Sequence, residues 1–278
     1  MYTTVKTTHI LTGSATRKFY ADCYLPKDNT KGIVIFCHGF KGFKDWGTFP
    51  LMGEAFAENE LAFISFNFSH NGTTLRNTTE FADLEAFGNN NFTRELFDLE
   101  VVIEFAEHHF NLFKNSLPIY LLGHSRGGGI AMLKASEDSR ISKVAVWGSV
   151  SEYGKFWKSN EMEKLLTDGV IYIQNSRTNQ QMPIYKQLYE DYENNKERLH
   201  IPTQVKQMQK PLLIVHGTHD ETVPLKAAEA LKEWKPDAEL LVIENGNHSF
   251  GAKHPWSESA LPEHTLHAIK ETVTFFKK

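Results

Sequence analysis

A serine lies between two glycines at residues 123–127 (GHSRG), a pattern in which a serine can become a nucleophile. The apolar, partly β-branched run at residues 117–122 is typical of a buried strand, and residues 128–135 are typical of a helix. So tight a strand-to-helix turn excludes bulky side chains two positions before and after Ser125 and holds its Oγ above the sheet. The sequence therefore predicts a nucleophile elbow; a serine that only caps a helix is the alternative.

Two later apolar runs end in polar loops that carry an acid and a base. Residues 212–217 are followed by Asp220 and Glu221, and residues 239–244 are followed by His248. Because the carboxyl ends of parallel strands meet at one edge of a sheet, these side chains can reach the serine. A serine needs a base to take its proton, and the base needs an acid to orient it. The order of serine, acid and histidine thus predicts acyl transfer through a covalent acyl-serine.

Four motifs, taken together, resemble those of the α/β-hydrolase superfamily. They are HGFKG at residues 38–42, the elbow, HGTHDETVP at residues 216–224 and GNHSF at residues 246–250. The resemblance is to the esterase and serine-peptidase-like branch, which includes dienelactone-hydrolase-like and cinnamoyl (feruloyl) esterases. It covers the chain from about residue 18 to its end. The alternation of strands and helices makes the fold class α/β, and the resemblance implies a mostly parallel, twisted, eight-stranded sheet with helices on both faces and a small cap insertion.

The resemblance also implies roles for site residues. The family pattern places the acid three residues after a glycine, which selects Asp220; Glu221 is the alternative. The base is then His248. Two backbone N–H groups are expected to form the oxyanion hole: that of Arg126, which follows from the elbow, and that of Phe40, which the resemblance implies. The Phe40 ring can also close the mouth of the site, and the Arg126 side chain can bind either a loop carboxylate or the substrate.

Residues 151–210 interrupt the alternation, since one crossover helix needs far fewer residues. We predict that residues 1–150 and 211–278 form the core and that residues 151–210 form a cap, or lid. Four side chains of this insertion are expected to line the substrate pocket: Trp157, Tyr172, Met182 and Tyr185. For each of them, packing of the cap onto the core is the alternative, and the pocket is then expected at the long loop of residues 70–91 and around Phe40 and Phe43.

Composition limits the partners. The 278 residues carry a formal net charge of −4, which gives no reason to expect nucleic acid or an anionic membrane surface as a partner. Cys23 and Cys37 lie in strand-like runs and predict buried thiols rather than a disulfide framework. No apolar stretch has membrane-spanning length and the first residues are unlike a signal peptide, so a cytoplasmic protein is expected, either a monomer or a homodimer.

The motifs together predict a carboxylesterase-like serine hydrolase that acts on a small-molecule ester with a small or aromatic acyl group. Neither a cofactor nor a metal is expected, because no HExxH or CxxC motif occurs. A serine peptidase of the prolyl-oligopeptidase-like or aminopeptidase kind is the alternative, since it shares the elbow and the acid loop. A non-catalytic binding module on the same fold is the third reading.

Overall fold

The computed structural model describes residues 4–110, 117–154 and 159–278. At its centre, eight strands form one sheet in the order β1-β2-β4-β3-β5-β6-β9-β10. The strands in chain order are β1 (Val5–Thr12), β2 (Lys18–Leu25), β3 (Gly32–Cys37), β4 (Leu61–Phe66), β5 (Ile119–His124), β6 (Ile141–Trp147), β7 (Val170–Asn175), β8 (Gln180–Tyr185), β9 (Leu212–Gly217) and β10 (Glu239–Ile243). The β1–β2 and β2–β4 pairs are antiparallel and the other neighbouring pairs of this sheet are parallel, which confirms the predicted α/β class and mostly parallel eight-stranded sheet.

Helices cover both faces of the sheet. The helices are α1 (Phe49–Glu58), α2 (Leu84–Gly88), α3 (Phe92–Phe110), α4 (Arg126–Glu137), α5 (Ser159–Asp168), α6 (Gln187–Asn194), α7 (Lys196–Leu199), α8 (Ile201–Gln207), α9 (Lys226–Trp234) and α10 (Glu263–Lys277). In β3, Ile33 and Ile35 contact the core that lies under α3, α4, α8 and α9. Val34 and Phe36 contact the second core, under α1 and α10. Both faces of the central strands are therefore buried, and their carboxyl ends open at one edge.

The predicted cap segment contains α5, the β7–β8 hairpin and α6 to α8. The hairpin is a separate two-stranded antiparallel sheet that contacts α2, whereas α8 packs against α4 and α9 like a crossover helix. The charged segment at 185–198 contains the end of β8 followed by two helices, α6 and α7. The predicted long loop at 70–91 contains α2, whose first turn is capped by Asp83: its Oδ1 accepts from the Ala86 N–H at 2.9 Å.

The two cysteines are free and buried, as the sequence predicts. Burial raises the pKa of the Cys23 thiol to about 12, and burial likewise raises the pKa of Cys37. Both thiols therefore stay protonated and unreactive at neutral pH. Within residues 4–110, 117–154 and 159–278, none of the helices combines the length and the apolar character needed to cross a membrane.

Candidate active site

Ser125 lies between the end of β5 and the start of α4, in a backbone conformation that L-residues rarely adopt. Its φ is +56° and its ψ −122°. The Ser125 N–H donates to the Trp147 carbonyl of β6 at 2.9 Å, which fixes the turn against the neighbouring strand. A Cβ on Gly123 would lie 2.4 Å from the Gly127 carbonyl oxygen. Only glycine fits there, and the strained turn projects the serine side chain out of the sheet edge.

The loop after β3 packs directly against this elbow. A Cβ on Gly39 would lie 2.9 Å from Ser125 Cβ, and one on Gly127 would lie 2.3 Å from the Cys37 carbonyl oxygen. The loop then turns sharply at Phe40, since the Gly42 N–H donates to the Gly39 carbonyl at 3.0 Å. The first N–H groups of α4, beginning with that of Arg126, have no acceptor within the helix. The structure thus brings the two predicted oxyanion donors, Phe40 and Arg126, to adjoining loops beside Ser125.

An acid–base pair lies at the carboxyl ends of β9 and β10. His248 Nδ1 is 2.8 Å from Asp220 Oδ2, and the Asp220 side chain is fully buried. The N–H groups of Thr222 and Val223 donate to the other carboxylate oxygen at 2.9 and 2.8 Å. Glu221, the alternative acid, is exposed. The structure therefore brings Asp220 to His248.

The protonation state of this pair follows from its surroundings. Burial of the Asp220 carboxyl would raise its pKa, but hydrogen bonds from His216 and His248 outweigh burial and hold that pKa well below its usual range. The ionised carboxylate can only accept, so His248 Nδ1 carries the proton. In the neutral imidazole, His248 Nε2 is then the free base, available for a serine proton. His216 supports the acid loop, because its Nε2 donates to the Val223 carbonyl at 2.8 Å.

Two further histidines hold loops of the site: His38, which is buried, and His124, which is partly buried. His38 Nδ1 donates to the Gly39 carbonyl at 2.9 Å, and His124 Nε2 donates to the His248 carbonyl at 2.8 Å. Burial lowers the pKa of His38 to about 4, and burial together with the nearby His248 lowers that of His124 to about 3. Both rings are therefore neutral at pH 7. They position the oxyanion loop and the histidine loop rather than exchange protons.

We expect the protein to lose stability as the pH falls from about 6.5, the unfolded histidine pKa, towards 4, the folded pKa of His38. Because the pKa of His38 is lower in the folded protein, the unfolded chain binds a proton first as the pH falls. The stabilisation is therefore complete above the unfolded pKa and is lost progressively as the pH falls to the folded pKa. His38→Asn keeps a donor near Nδ1 and should reduce this loss by on the order of 2–3 kcal/mol. Urea unfolding at about pH 7.5 and about pH 4.5 measures the free energy of unfolding of both proteins and so the loss in each. His267→Asn, at an exposed position, is the control; an equal loss in wild type and His38→Asn would contradict this role.

The Arg126 side chain turns inward and binds a carboxylate of α3. Its Nε donates to Glu95 Oε2 at 3.1 Å, and Asn90 donates to the other Glu95 oxygen at 2.7 Å. The guanidinium contacts two rings, with its Cζ 4.5 Å from the Phe92 centroid and 5.4 Å from that of Phe40. Arg126 therefore connects the helix that follows the nucleophile with the loop that contains Phe40. Glu95 is a site residue that the motifs do not identify; its position on the buried face of a helix is the signal that the sequence offers.

A cavity of about 460 Å³ opens beside Ser125 and His248. Trp46 and Phe49 form an apolar part of its wall. Most of the remaining wall comes from the loop after β3, the turn of the β7–β8 hairpin and the loop after β10, with smaller parts from the elbow and the loop after β9. Three cationic side chains from these segments line it: Lys41, Arg177 and Lys253. A cavity of this volume accommodates a small ligand.

Three of the four predicted pocket residues lie away from the wall of this cavity, and the fourth, Trp157, lies outside the described residues. Tyr172 is 57% exposed on the outer face of the hairpin, whereas Met182 is fully buried against Phe43, Phe81 and Phe87. The Tyr185 hydroxyl donates to Glu85 Oε2 at 2.6 Å and joins the hairpin to α2. The structure places none of Tyr172, Met182 and Tyr185 on the wall of the cavity at Ser125, because the inward face of the hairpin packs on the core.

In the part of the chain that the structure describes, no three histidine, cysteine or carboxylate side chains come together as ligands for a metal ion. The side chains around Ser125 form a proton-transfer arrangement: a hydroxyl, a histidine and an ionised carboxylate, with helix N–H groups nearby. Such an arrangement can attack a carbonyl carbon and stabilise the oxyanion that forms.

Comparison with known proteins gives one family and many similar structures. The model of the prolyl oligopeptidase family matches residues 72–278. Est1E from Butyrivibrio proteoclasticus, solved with ferulic acid bound, superposes with a TM-score of 0.72 at 19% identity, covering 97% of this chain and 98% of Est1E. Dienelactone hydrolase from Anabaena variabilis gives a TM-score of 0.65 at 16% identity, covering 99% and 97% of the two chains.

The acylaminoacyl peptidase of Pyrococcus horikoshii is a further structural relative, with a TM-score of 0.66 at 14% identity. The match covers 100% of this chain but 42% of the peptidase. No curated protein sequence matches the chain. At these identities, the structural likenesses establish the α/β-hydrolase fold.

Proposed function

Because this chain belongs to the prolyl oligopeptidase family and is a serine hydrolase of the α/β-hydrolase fold, we propose that it hydrolyses carboxylic esters through an acyl-serine intermediate. One observation carries the proposal: a partly buried hydrogen bond joins Asp220 to His248, and His248 lines the same cavity as Ser125, which lies at an elbow with a positive φ. A charged acid, an oriented base and a projecting hydroxyl are the three groups that acyl transfer to serine needs.

In the proposed mechanism, Ser125 Oγ attacks the ester carbonyl while His248 Nε2 takes its proton. Asp220 keeps the other imidazole nitrogen protonated and stabilises the positive charge that develops on the ring. The N–H groups of Phe40 and Arg126 stabilise the oxyanion of the tetrahedral intermediate. His248 returns the proton to the departing alcohol. It then deprotonates a water molecule, which attacks the acyl-serine. The bond from the acyl carbon to Ser125 Oγ breaks, the acid leaves, and His248 returns the proton to Ser125 Oγ.

The lining of the cavity favours an ester over a peptide with a free amino terminus. No aspartate or glutamate lies on its wall among the described residues, whereas three cations do. A protonated amino terminus would be repelled there. Trp46 and Phe49 can pack against an aromatic acyl group of the kind that Est1E binds as ferulic acid. The family match is the observation that favours a peptidase as the second candidate.

We also propose that the insertion at residues 151–210 acts as a lid on this site. The turn of its hairpin supplies Asn175, Ser176 and Arg177 to the cavity wall. The Asn175 side chain is buried and its Oδ1 accepts from the Arg177 N–H at 3.3 Å, so the turn has a defined shape. A lid that contacts the substrate in this way excludes water and selects among acyl or alcohol groups.

Hydrolysis of p-nitrophenyl acetate, compared with that of aminoacyl p-nitroanilides, tests the proposed activity. We expect turnover of the ester with a much higher kcat/KM than of any anilide, because the cationic wall opposes a free amino group. Faster cleavage of the anilides would instead identify a peptidase. Absence of turnover on both, with the fold intact, would indicate a binding module.

A further inference from the structure

The charges on the wall of the active-site cavity are one-sided. Lys41, Arg177 and Lys253 come from three separate segments of the chain, yet all three line the same cavity of about 460 Å³. No carboxylate side chain lies on that wall within the described residues. The whole protein is acidic, with a formal net charge of −4. The local positive charge is therefore specific to this site rather than a consequence of composition.

None of these three cations has an ion-pair partner among the residues that the structure describes. Arg177 is instead held over a ring, with its Cζ 5.8 Å from the Phe43 centroid. The Arg177 side chain is exposed at the turn of the hairpin. A guanidinium that stacks through its face keeps the donors at its edge available, and those donors match the two oxygens of a carboxylate.

The neighbouring titratable groups do not neutralise this charge. Asp220, beneath His248, is buried and holds two histidines. Asp45, near His254, accepts from Lys44 Nζ at 2.6 Å. His254 Nδ1 accepts from the Gly47 N–H at 2.9 Å, and burial, followed by the charge of Arg177, lowers the pKa of His254. The mouth of the site thus keeps a net positive charge at neutral pH, and the walls of the cleft concentrate its field.

We infer that the substrate is a small ester that also carries a carboxylate, which Arg177 binds at the mouth of the cavity while Lys41 and Lys253 add attraction. The inference rests on the proposed ester hydrolysis and adds the chemical class of the substrate. The carboxylate can belong to the acyl part, as in a monoester of a dicarboxylic acid, or to the alcohol part, as in an acylated hydroxybenzoate. Both share one recognition chemistry, a fork of two N–H groups on two carboxylate oxygens.

Two pairs of substrates test this inference and separate the two sources of the carboxylate. Mono-p-nitrophenyl adipate is compared with p-nitrophenyl heptanoate, and p-acetoxybenzoate is compared with p-acetoxybenzamide. We expect the charged member of at least one pair to have the higher kcat/KM, mainly through KM. Arg177→Gln should reduce that preference about ten-fold, because one charge-assisted hydrogen-bond pair is lost. Added salt should weaken the preference in the wild type.

Arg76→Gln is the matched control. Arg76 is exposed and lies off the cavity wall. Its replacement by glutamine changes the net charge of the protein by the same amount as Arg177→Gln does. The inference is overturned if neither charged substrate is preferred, or if Arg177→Gln keeps the preference or Arg76→Gln loses it equally. Those results would leave ester turnover itself in place. Failure of the proposed function would look different, since no ester of either pair would then be hydrolysed at a rate that depends on Ser125.

Discussion

Replacement of Ser125 by alanine is expected to lower kcat for ester hydrolysis by about 10⁴–10⁶-fold while the protein stays folded. The loss is large because no acyl-enzyme can form without the hydroxyl, whatever the other groups of the site do. The fold should survive because the Ser125 side chain makes no capping hydrogen bond to α4, and alanine meets the same backbone strain at φ +56° as serine does. Steady-state kinetics with p-nitrophenyl acetate and the Tm from circular dichroism measure the two quantities.

Ser176→Ala is the matched control for that experiment, since Ser176 lines the same cavity from the hairpin turn. It should change kcat far less. Asp220→Asn should lower kcat by about 10⁴-fold, because an amide in place of the carboxylate favours the wrong tautomer of His248. A Ser125→Ala enzyme that keeps near-wild-type kcat would mean that another residue attacks the ester.

The position of the site could be predicted from sequence because its residues follow strands whose carboxyl ends must meet. The apolar runs before Ser125, Asp220 and His248 are long and regular, so each loop could be assigned to one sheet edge. The elbow requires glycines because an added Cβ would lie as close as 2.3 Å to a neighbouring backbone atom. This constraint is visible in the sequence as glycines at fixed positions around the serine. The structure places these three residues in the expected loops, and Asp220 contacts His248.

The lining of the pocket was harder to predict because it depends on which face of a hairpin turns inward. Tyr172, predicted to line the pocket, alternates with Ile171 and Ile173, whose face packs inward together with Met182. In a strand, successive side chains point to opposite faces, so the sequence places Tyr172 on the face opposite to Ile171 and Ile173. That alternation does not show whether the inward face packs on the core or contacts the substrate.

The cationic wall could not be predicted from sequence at all. Arg177 and Lys253 are separated by 75 intervening residues and meet only because the hairpin docks beside the loop after β10. An exposed basic residue in a polar turn is ordinarily a solvated charge, so neither position carried a local signal. Glu95 differs, because its place on the buried face of a helix is a local signal, but its contact with Arg126 depends on the packing of α3 on α4.

The reactivity of Ser125 should depend almost entirely on His248. A serine hydroxyl is a weak nucleophile until a neighbouring base takes its proton, and His248 Nε2 is the base that the Asp220 hydrogen bond leaves free. A fluorophosphonate reacts with serines activated in this way and stays attached. We therefore expect one adduct per chain in the wild type and a labelling rate at least about 10³-fold slower in His248→Ala.

Labelling with a fluorophosphonate, followed by peptide mass spectrometry, tests the central claim most directly. Wild-type protein should carry the adduct on the peptide that contains Ser125, and His248→Ala, with an unchanged circular dichroism spectrum, should remain almost unlabelled over the same time. His267→Ala, at an exposed position on α10, should label like the wild type. An adduct on any other residue, or undiminished labelling of Ser125 in His248→Ala, would contradict the assignment of Ser125, His248 and Asp220 as a catalytic triad.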